Sequence, residues 1–463
     1  MKIIALIIMA LVIAASAVSV RADLKLPAIF GDNMVLQQQM PVPVWGWAAP
    51  AAKVTVKFSS QSHATQADAD GKWQVRLTKL SASFSPQTLL IEAGETKTFT
   101  NILVGEVWLG SGQSNMEKPI GEQRGQKPCL NAETELAAAH YPNMRLFSVG
   151  RGLSATPRAD LVKFQGWSEC NSNALNAISF SAAAYFFGRE IHTNLNVPVG
   201  LVESAWGGRP IEPFTPQAGF KAVPALAKFL TQNLTTTTAL NSNAPSVIYN
   251  AMIAPLAPFA IRGALWYQGE SNRSNTNYTD KMVALVGGWR QVWQEGDFPF
   301  YFVQVAPYRY IKTNDFVAVD RLPDFWLQQS RAAKRINNTG MVVTTDLVDD
   351  LNDIHPRDKQ SVGHRLALIA LNRTYGQRNK VCIGPAFREM KVIGGKAVLQ
   401  FEHAEGGLLS RDGNPLTWFT IAGLDRNYVE AEAKIVGDTV EVSAAGINQP
   451  VAVRLAWNQI TRN

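Results

Sequence analysis

The chain has 463 residues, of which 46% are hydrophobic and 17% are charged, as in a folded protein long enough for two or three domains. The formal net charge is +7, but the lysines and arginines are scattered and form no basic run with interleaved aromatic residues. No nucleic-acid partner is therefore expected. Three cysteines are too few for a metal framework, and we predict one disulfide between Cys129 and Cys170.

Residues 1–22 differ in character from the rest of the chain. Lys2 precedes an apolar run from Ile3 to Ile13, and small residues follow it up to a favoured cleavage site after Ala22. This pattern predicts a secretory signal peptide rather than a membrane anchor. We therefore expect a secreted or periplasmic protein, with no stable membrane association once the peptide is removed.

Residues 23–101 are predicted to form an N-terminal β-sandwich. Short segments such as "KVTVKFSS" and "QTLLIEAGE" alternate apolar and polar residues, and Gly, Pro and Asp bound them. The pair Asp70-Gly71 predicts a hairpin turn between two of these strands.

Residues 102–378 are predicted to form an α/β domain, with a parallel sheet covered by helices on both faces. The strand candidates are "LVGEVWLG", "PVGLVESAWGG", "IRGALWYQGES", "FPFYFVQVAP" and "GMVVTTDL". Between and after them, apolar residues recur at three- and four-residue steps in "SFSAAAYFFGREIHTNL", "YTDKMVALVGGWRQVWQ" and "KQSVGHRLALIALNRTYG". Residues 379–463 return to short alternating strands and predict a small C-terminal β region.

Polar or glycine-rich clusters follow four of the predicted strands of the α/β domain. The clusters are Ser111–Asn115, Trp206–Pro210, Tyr267–Asn272 and Asp349–Pro356. Ligands of open parallel sheets bind outside the carboxyl ends of the strands. We therefore expect the four clusters to meet at one edge of the sheet.

The side chains of these clusters indicate acyl transfer. A serine hydroxyl needs a base to accept its proton during attack, and a carboxylate behind an imidazole base fixes the tautomer of the ring. Only His355, among the six histidines, comes just past a sheet strand, beside an acid and before a helix. Activity should then rise with pH through a pKa of about 6–7, since neutral imidazole is required.

Other catalytic motifs are missing from the sequence. Met116 occupies the last position of a Gly-x-Ser-x-Gly elbow, and there is no His-Glu-x-x-His pair, phosphate-binding Gly-Lys-Ser/Thr loop or dinucleotide fingerprint. No cofactor and no metal are therefore predicted.

Four segments closely resemble the sialate O-acetylesterase family within the SGNH hydrolases: "GSGQSNM", "SAWGGRPIE", "WYQGESN" and "DIHPRDKQSVGHRLA". The resemblance extends over nearly all of residues 24–376. It implies a flavodoxin-like three-layer SGNH hydrolase domain with serine esterase activity. It also implies an O-acetylated glycan as the substrate, in particular an O-acetylated sialic acid.

The resemblance implies roles for individual residues. Ser114 matches the nucleophile and His355 the base. The oxyanion donors would be the Ser114 amide, Gly207 and Gln268. Asp353 fits the Asp-Ile-His-Pro pattern as the acid. The alternatives to Asp353 are Asp349, Asp350 or a Ser–His dyad, because Asn352 stands where many SGNH enzymes have aspartate.

Other residues are expected to support the site or contact substrate. The supporting residues are Gln113, Gly208, Glu270 and Asn272. Arg209 departs from the threonine or serine usual in the family and is a candidate substrate contact, as is Trp206.

Alternative functions remain open from the sequence. A serine O-acetylesterase could act on sialic acids, or on acetyl xylan or another polysaccharide. A glycoside hydrolase would instead use a carboxylate pair such as Glu117 and Glu270. A non-catalytic glycan-binding protein would use the β-sandwich. Replacement of Ser114 by alanine should spare the activity of a glycoside hydrolase, and acetate release from an aryl acetate distinguishes an esterase from a binding protein.

Overall fold

The computed structural model describes residues 23–123, 125–230, 240–310 and 321–458. The predicted signal peptide, residues 1–22, lies outside these ranges. None of the helices found within them is long and apolar enough to cross a membrane.

The described chain begins with short strands in two sheets. These strands are β1 (Val35–Gln37), β2 (Val42–Trp47), β3 (Lys53–Phe58), β4 (Gln61–Gln66), β5 (Lys72–Leu77) and β6 (Ser83–Glu92). β2 pairs with β5, while β3 pairs with both β4 and β6, all antiparallel. Both sheets contribute side chains to one apolar cluster, as with Val44 of β2 and Val56 of β3. The sandwich itself stays a prediction.

The hairpin predicted at Asp70-Gly71 is wrong, although a turn forms there. The carboxylate of Asp68 accepts hydrogen bonds from the backbone N–H groups of Asp70 and Lys72, and Gly71 has a φ of +76°. The turn separates β4 from β5, but each strand pairs with a different partner. The segment therefore carries the chain from one sheet to the other.

β7 (Thr96–Gly112) joins the N-terminal strands to the central sheet. Its first part pairs antiparallel with β6 and parallel with β1, and its second part, from Glu106, pairs with central strands. The predicted domain boundary between residues 101 and 102 lies inside this continuous strand. The four predicted domain ranges stay predictions.

The central region alternates helices and strands. Its elements are α1 (Ser114–Glu117), α2 (Ala132–Ala138), β8 (His140–Val149), β9 (Phe164–Asn171), α3 (Ser172–Ala177), α4 (Ala182–Leu195), β10 (Val199–Ala205), α5 (Gln217–Ala222), β11 (Gly263–Tyr267), α6 (Tyr278–Trp293), β12 (Phe300–Val303), α7 (Arg321–Arg335), β13 (Thr339–Val342) and α8 (Lys359–Ile369). The strands form a sheet in the order β13-β12-β11-β7-β10-β8-β9, in which only β9 is antiparallel to its neighbour.

Both faces of the central sheet are buried, which explains the continuously apolar strands. Along β11, Ala264 and Trp266 enter one apolar cluster, whereas Leu265 and Tyr267 enter another. Helices α6 and α7 contribute to the first cluster, and helices α4 and α8 to the second. The mixed α/β architecture with a mostly parallel central sheet is thus as predicted.

The chain after α8 forms small antiparallel sheets. The strands are β14 (Ala386–Ile393), β15 (Lys396–Glu402), β16 (Phe419–Ala422), β17 (Tyr428–Glu430), β18 (Glu432–Val436), β19 (Thr439–Ser443) and β20 (Ala452–Leu455). Four of them pair in the order β14-β15-β19-β18, and the other three in the order β17-β16-β20. They share a separate apolar cluster that includes Leu399 and Ile421.

The predicted disulfide between Cys129 and Cys170 is wrong, because both residues are free cysteines. The Cys129 thiol donates a hydrogen bond to the Pro119 carbonyl over 3.3 Å. Cys170 lies on β9 opposite Tyr141 of β8, and burial raises its pKa to about 12. Each thiol therefore occupies its own place in the apolar interior.

Candidate active site

Three of the four predicted clusters lie side by side because β10, β7 and β11 are adjacent parallel strands. The last residues of these strands, Ala205, Gly112 and Tyr267, are in register. The segments that follow them therefore leave the sheet at one edge, where ligands of such sheets bind.

Gly112 shapes the turn that precedes the predicted nucleophile. Its φ is +138°, and a Cβ atom at this position would lie 2.2 Å from the carbonyl oxygen of Tyr267. Only glycine fits this close approach between β7 and β11. The chain then enters α1, and Ser114 is the first residue of that helix.

Ser114 and His355 meet at this edge. The His355 Nε2 atom lies 2.9 Å from the Ser114 Oγ atom, within hydrogen-bond distance. The loop that carries the histidine is held to α1, since the Asn115 side chain donates to the Ile354 carbonyl over 3.0 Å. The geometry fits a nucleophile and its general base.

Asp353 is the acid nearest to this pair among the three candidates. One of its carboxylate oxygens accepts the His355 backbone N–H at 2.9 Å and lies 3.8 Å from the Nδ1 atom of the ring. Asp349 lies beside Arg357, and Asp350 pairs with Lys127. The carboxylate of Asp353 thus contacts the backbone N–H of His355 more closely than it contacts the imidazole ring.

Burial and positive charge change the acidity of the candidate base. Burial is the main reason that the pKa of His355 is lowered to about 4. The ammonium groups of Lys359 and Lys118 lower it further, while Asp353 raises it. The imidazole is therefore neutral, as a general base must be, well below neutral pH.

A buried polar network lies behind Ser114. It contains Glu270, which was predicted to support the site, and Lys359, which was not predicted. The Lys359 ammonium donates to the Asn115 side-chain oxygen at 2.7 Å, and the Asn115 amide donates to a Glu270 oxygen at 2.6 Å. Burial lowers the pKa of Lys359 to about 8 and raises the pKa of Glu270. The only sequence signal for Lys359 was that it lies four residues after His355, at the start of the predicted helix.

Comparisons with known proteins identify the family to which the chain belongs. Residues 104–372 match the family model described as carbohydrate esterase, sialic acid-specific acetylesterase. The chain belongs to this family. The resemblance stated from the sequence motifs is thereby confirmed, and the chain is an esterase.

Relatives cover most of the chain. The sialate O-acetylesterase of Homo sapiens is 32% identical over 408 residues, which are 80% of this chain and 75% of that protein. The Rattus norvegicus enzyme of the same name is 29% identical over 444 residues, or 84% and 80% of the two chains. The crystal structure of a carbohydrate acetylesterase from Xanthomonas citri superposes with a TM-score of 0.83 at 34% identity, covering 94% of this chain and 95% of that one.

In this sialic acid-specific acetylesterase family member, the Gly207 amide already has a partner. Its N–H donates to Glu117 Oε2 at 2.9 Å. The other Glu117 oxygen accepts two bonds from the Arg151 guanidinium, at 2.9 and 2.6 Å. Gly207 thus lies beside Ser114, but a carboxylate occupies the N–H group that was predicted to be an oxyanion donor.

Gln268 lies one layer behind the surface of the site. Its side-chain amide nitrogen donates to the side-chain oxygens of Gln113 and Asn272, at 3.0 and 2.7 Å, and the Tyr278 hydroxyl donates to its oxygen. The residue is fully buried. Gln113, by contrast, lines the cavity above Ser114.

The cavity has a volume of about 540 Å³, in the range usual for small-ligand sites. Its wall contains Ser114, Glu117, Arg151, Gly207, Gly208, Glu270, Arg273, Tyr310 and His355, among others. Neither Trp206 nor Arg209 is part of this wall. The Arg209 guanidinium donates to Ser242 and Asn243, and it packs 5.4 Å from the Trp206 ring.

The last predicted supporting residue, Asn272, bonds to the protein rather than facing the cavity. Its side-chain oxygen accepts the Ile211 backbone N–H at 2.9 Å, and its amide donates to Glu212 at 3.1 Å. Within the described ranges, no group of three or more His, Cys, Asp or Glu residues is placed to hold a metal ion.

Proposed function

We propose that this chain is a serine O-acetylesterase that removes acetyl groups from sugar hydroxyls through an acetyl-enzyme. The observation that supports this proposal is the 2.9 Å contact between Ser114 Oγ and His355 Nε2 at the wall of a sugar-sized cavity. A glycoside hydrolase using Glu117 and Glu270 is less well supported, because Glu117 is held by Arg151 and Glu270 is buried against Asn115.

In the proposed first step, His355 accepts the Ser114 proton as the Oγ atom attacks the acetyl carbonyl carbon. The histidine then protonates the sugar oxygen, which leaves as an alcohol. In the second step His355 takes a proton from water as the water oxygen adds to the acetyl carbonyl carbon. The bond between that carbon and Ser114 Oγ then breaks, His355 returns the proton to Oγ, and acetic acid leaves, ionised as acetate at neutral pH.

The Ser114 and Gly207 N–H groups are the proposed donors to the oxyanion. The Gly207 donor becomes available only when the Glu117 carboxylate moves aside. Gln268, which is fully buried, would then act by holding Gln113 rather than by direct contact. Asp353 would orient His355 through the backbone N–H and favour the protonated ring that forms during attack.

O-acetylated sialic acid is the first substrate candidate, because the human and rat relatives are named for it. An acetylated polysaccharide is the second candidate. A second cavity of about 510 Å³ shares Gln123 and Gln126 with the first and could admit a longer glycan. As residues 1–22 are a proposed signal peptide, the substrate would be met outside the cytoplasm.

The proposal is tested by acetate release from 4-nitrophenyl acetate, an O-acetylated sialic acid and an acetylated xylan oligosaccharide. We expect Ser114→Ala to lose at least about 10⁴-fold in kcat on every substrate that the wild type hydrolyses. A serine-directed phosphonate should label the wild type at Ser114 and leave the variant unlabelled. Undiminished activity in Ser114→Ala would refute the mechanism.

A further inference from the structure

We infer that Arg273 binds a carboxylate group of the substrate and makes this esterase selective for O-acetylated sugars that carry an acid group. This inference rests on the proposed function, and it concerns the same cavity. A sialic acid and a uronic acid both supply such a carboxylate, and the experiment below separates them.

The inference begins from the three arginines near the site. Arg151 lines the cavity, but it donates two hydrogen bonds to the Glu117 carboxylate, whose negative charge offsets its positive charge. Arg209 lies outside the cavity wall and donates to two side chains of another loop. Arg273 lines the cavity and makes neither kind of contact.

Arg273 has no carboxylate partner in the part of the chain that the structure describes. Its one hydrogen bond there runs from Nη1 to the Glu270 carbonyl oxygen, and at 3.5 Å it is long. No described residue accepts from Nε or Nη2. The Nε and Nη2 atoms form an edge of the guanidinium that can donate two parallel bonds to a carboxylate.

The Tyr310 ring fixes the orientation of this guanidinium. The Arg273 Cζ atom lies 4.3 Å from the centre of the ring, a cation–π distance, and Tyr310 also lines the cavity. Stacking holds the plane of the guanidinium while leaving its edge N–H groups free. Less side-chain entropy is then lost when an anion binds.

The two acids of the cavity do not neutralise Arg273. Glu117 is bonded to Arg151 and to the Gly207 amide. Glu270 accepts from Asn115, and its burial raises its pKa, which favours the uncharged form. The cavity that contains Ser114 therefore has one unpaired cation in its described wall, and a substrate carboxylate would complement it.

The experiment compares Arg273→Gln with the wild type on four substrates. These are O-acetylated N-acetylneuraminic acid, its methyl ester, an acetylated glucuronoxylan oligosaccharide and 4-nitrophenyl acetate. We expect a loss of about 10- to 100-fold in kcat/KM on at least one of the two acidic substrates, the sialic acid or the uronic-acid oligosaccharide. The substrate that shows the loss identifies which sugar acid supplies the carboxylate. The methyl ester and the aryl acetate should change by less than about twofold.

Two further variants control this result. Arg335→Gln removes a surface arginine that pairs with Asp280, so it should leave all four substrates unaffected. Arg273→Lys keeps the charge without the planar fork, and it should fall between the wild type and Arg273→Gln. An equal loss on all four substrates, or no loss on either acidic one, overturns the inference.

A binding experiment distinguishes a failure of this inference from a failure of the proposed esterase function. N-acetylneuraminic acid and glucuronic acid are titrated calorimetrically into Ser114→Ala and into Ser114→Ala/Arg273→Gln. At least about tenfold weaker binding to the double variant supports the Arg273 site even if no acetyl ester is hydrolysed. Suppose that Ser114 proves to be the nucleophile while neither free acid binds and neither acidic acetyl ester is hydrolysed. In that case the inference fails and the esterase proposal stands.

Discussion

The imidazole of His355 contacts Ser114 and is partly buried in the field of the Lys359 and Lys118 ammonium groups, and this environment should set the pH range of the enzyme. Burial and the two nearby lysines lower its pKa to about 4. A protonated imidazole cannot accept the Ser114 proton, so activity should be present above this pKa and lost as the pH falls through it. The sequence alone predicted this limb at about pH 6–7.

We therefore expect kcat/KM for 4-nitrophenyl acetate to fall on the acid side with an apparent pKa near 4. Lys359→Met removes one cation next to the ring and should move this limb upward, toward the ordinary histidine value. The measurement is a pH–rate profile from about pH 3 to about pH 8, within the range where each variant stays folded. A wild-type limb near pH 6.5 would contradict the environment described for His355.

Asp353 and His355 should differ sharply in their contribution to catalysis. His355→Ala removes the base itself and should cost at least about 10⁴-fold in kcat. Asp353→Asn keeps an oxygen for the His355 backbone N–H and loses only a carboxylate that lies 3.8 Å from Nδ1. We expect a loss of about 10- to 100-fold, measured as kcat under saturating substrate. Equal losses in the two variants would mean that the carboxylate closes on the ring during the reaction.

At the scale of elements, the packing of α4 against α8 depends on one glycine. A Cβ atom on Gly363 of α8 would lie 2.5 Å from the Phe186 Cβ atom and 2.9 Å from the Ala183 carbonyl oxygen. These are atoms of α4 that cannot move aside without shifting the helix. The loop that carries His355 leads directly into α8, whose first turn is capped by Asp358.

Gly363→Ala should therefore destabilise the protein by about 1–3 kcal/mol and lower kcat as α8 shifts. Gly287→Ala is the matched control, because Gly287 is exposed within α6 and no atom lies near its Cβ position. That change should stabilise by about 0.5–1 kcal/mol through helix propensity. Denaturant unfolding of both variants measures the difference, and a neutral Gly363→Ala would disprove the close helix contact.

The individual helices and strands show which parts of the fold could be predicted from the sequence. Helices α4, α6 and α8 were predicted because their apolar residues recur regularly at three- and four-residue steps, and strands β10 to β13 because they are short, continuously apolar runs. The β8–β9 pair was not predicted, since its register is interrupted twice and β8 begins with the polar "HYPN" segment. Local pattern does not encode such irregular pairing.

Part of the candidate site could likewise be predicted from the sequence, and part of it could not. Motif and strand order predicted that Ser114 and His355 approach each other, because both follow strands of a parallel sheet. The contact between Glu117 and the Gly207 amide, and the burial of Gln268, depend on rotamers and packing between segments that are distant in sequence. Likewise, the low pKa of His355 arises from burial, which no motif reports.

At the scale of the whole molecule, one buried acid connects the N-terminal strands to the central sheet. Glu106 of β7 accepts hydrogen bonds from Gln37 and Gln38 at β1, from Arg262 before β11 and from Tyr375 after α8. Its side chain is 1% exposed, and that of Arg262 is 20% exposed. With β7 shared between both regions, this cluster should make them unfold together.

Glu106→Ala leaves the Arg262 guanidinium partly buried without its counter-ion, and we expect a loss of about 3–5 kcal/mol in the free energy of unfolding. Asp280→Ala breaks the surface pair with Arg335 and should cost less than about 1 kcal/mol. Hydrogen exchange followed through a denaturant series should show β2 and β5 losing protection at the same midpoint as β11 and β12. Earlier loss in the N-terminal strands of the wild type would show that the shared strand does not couple the two regions, and the two parts would then have separate stabilities.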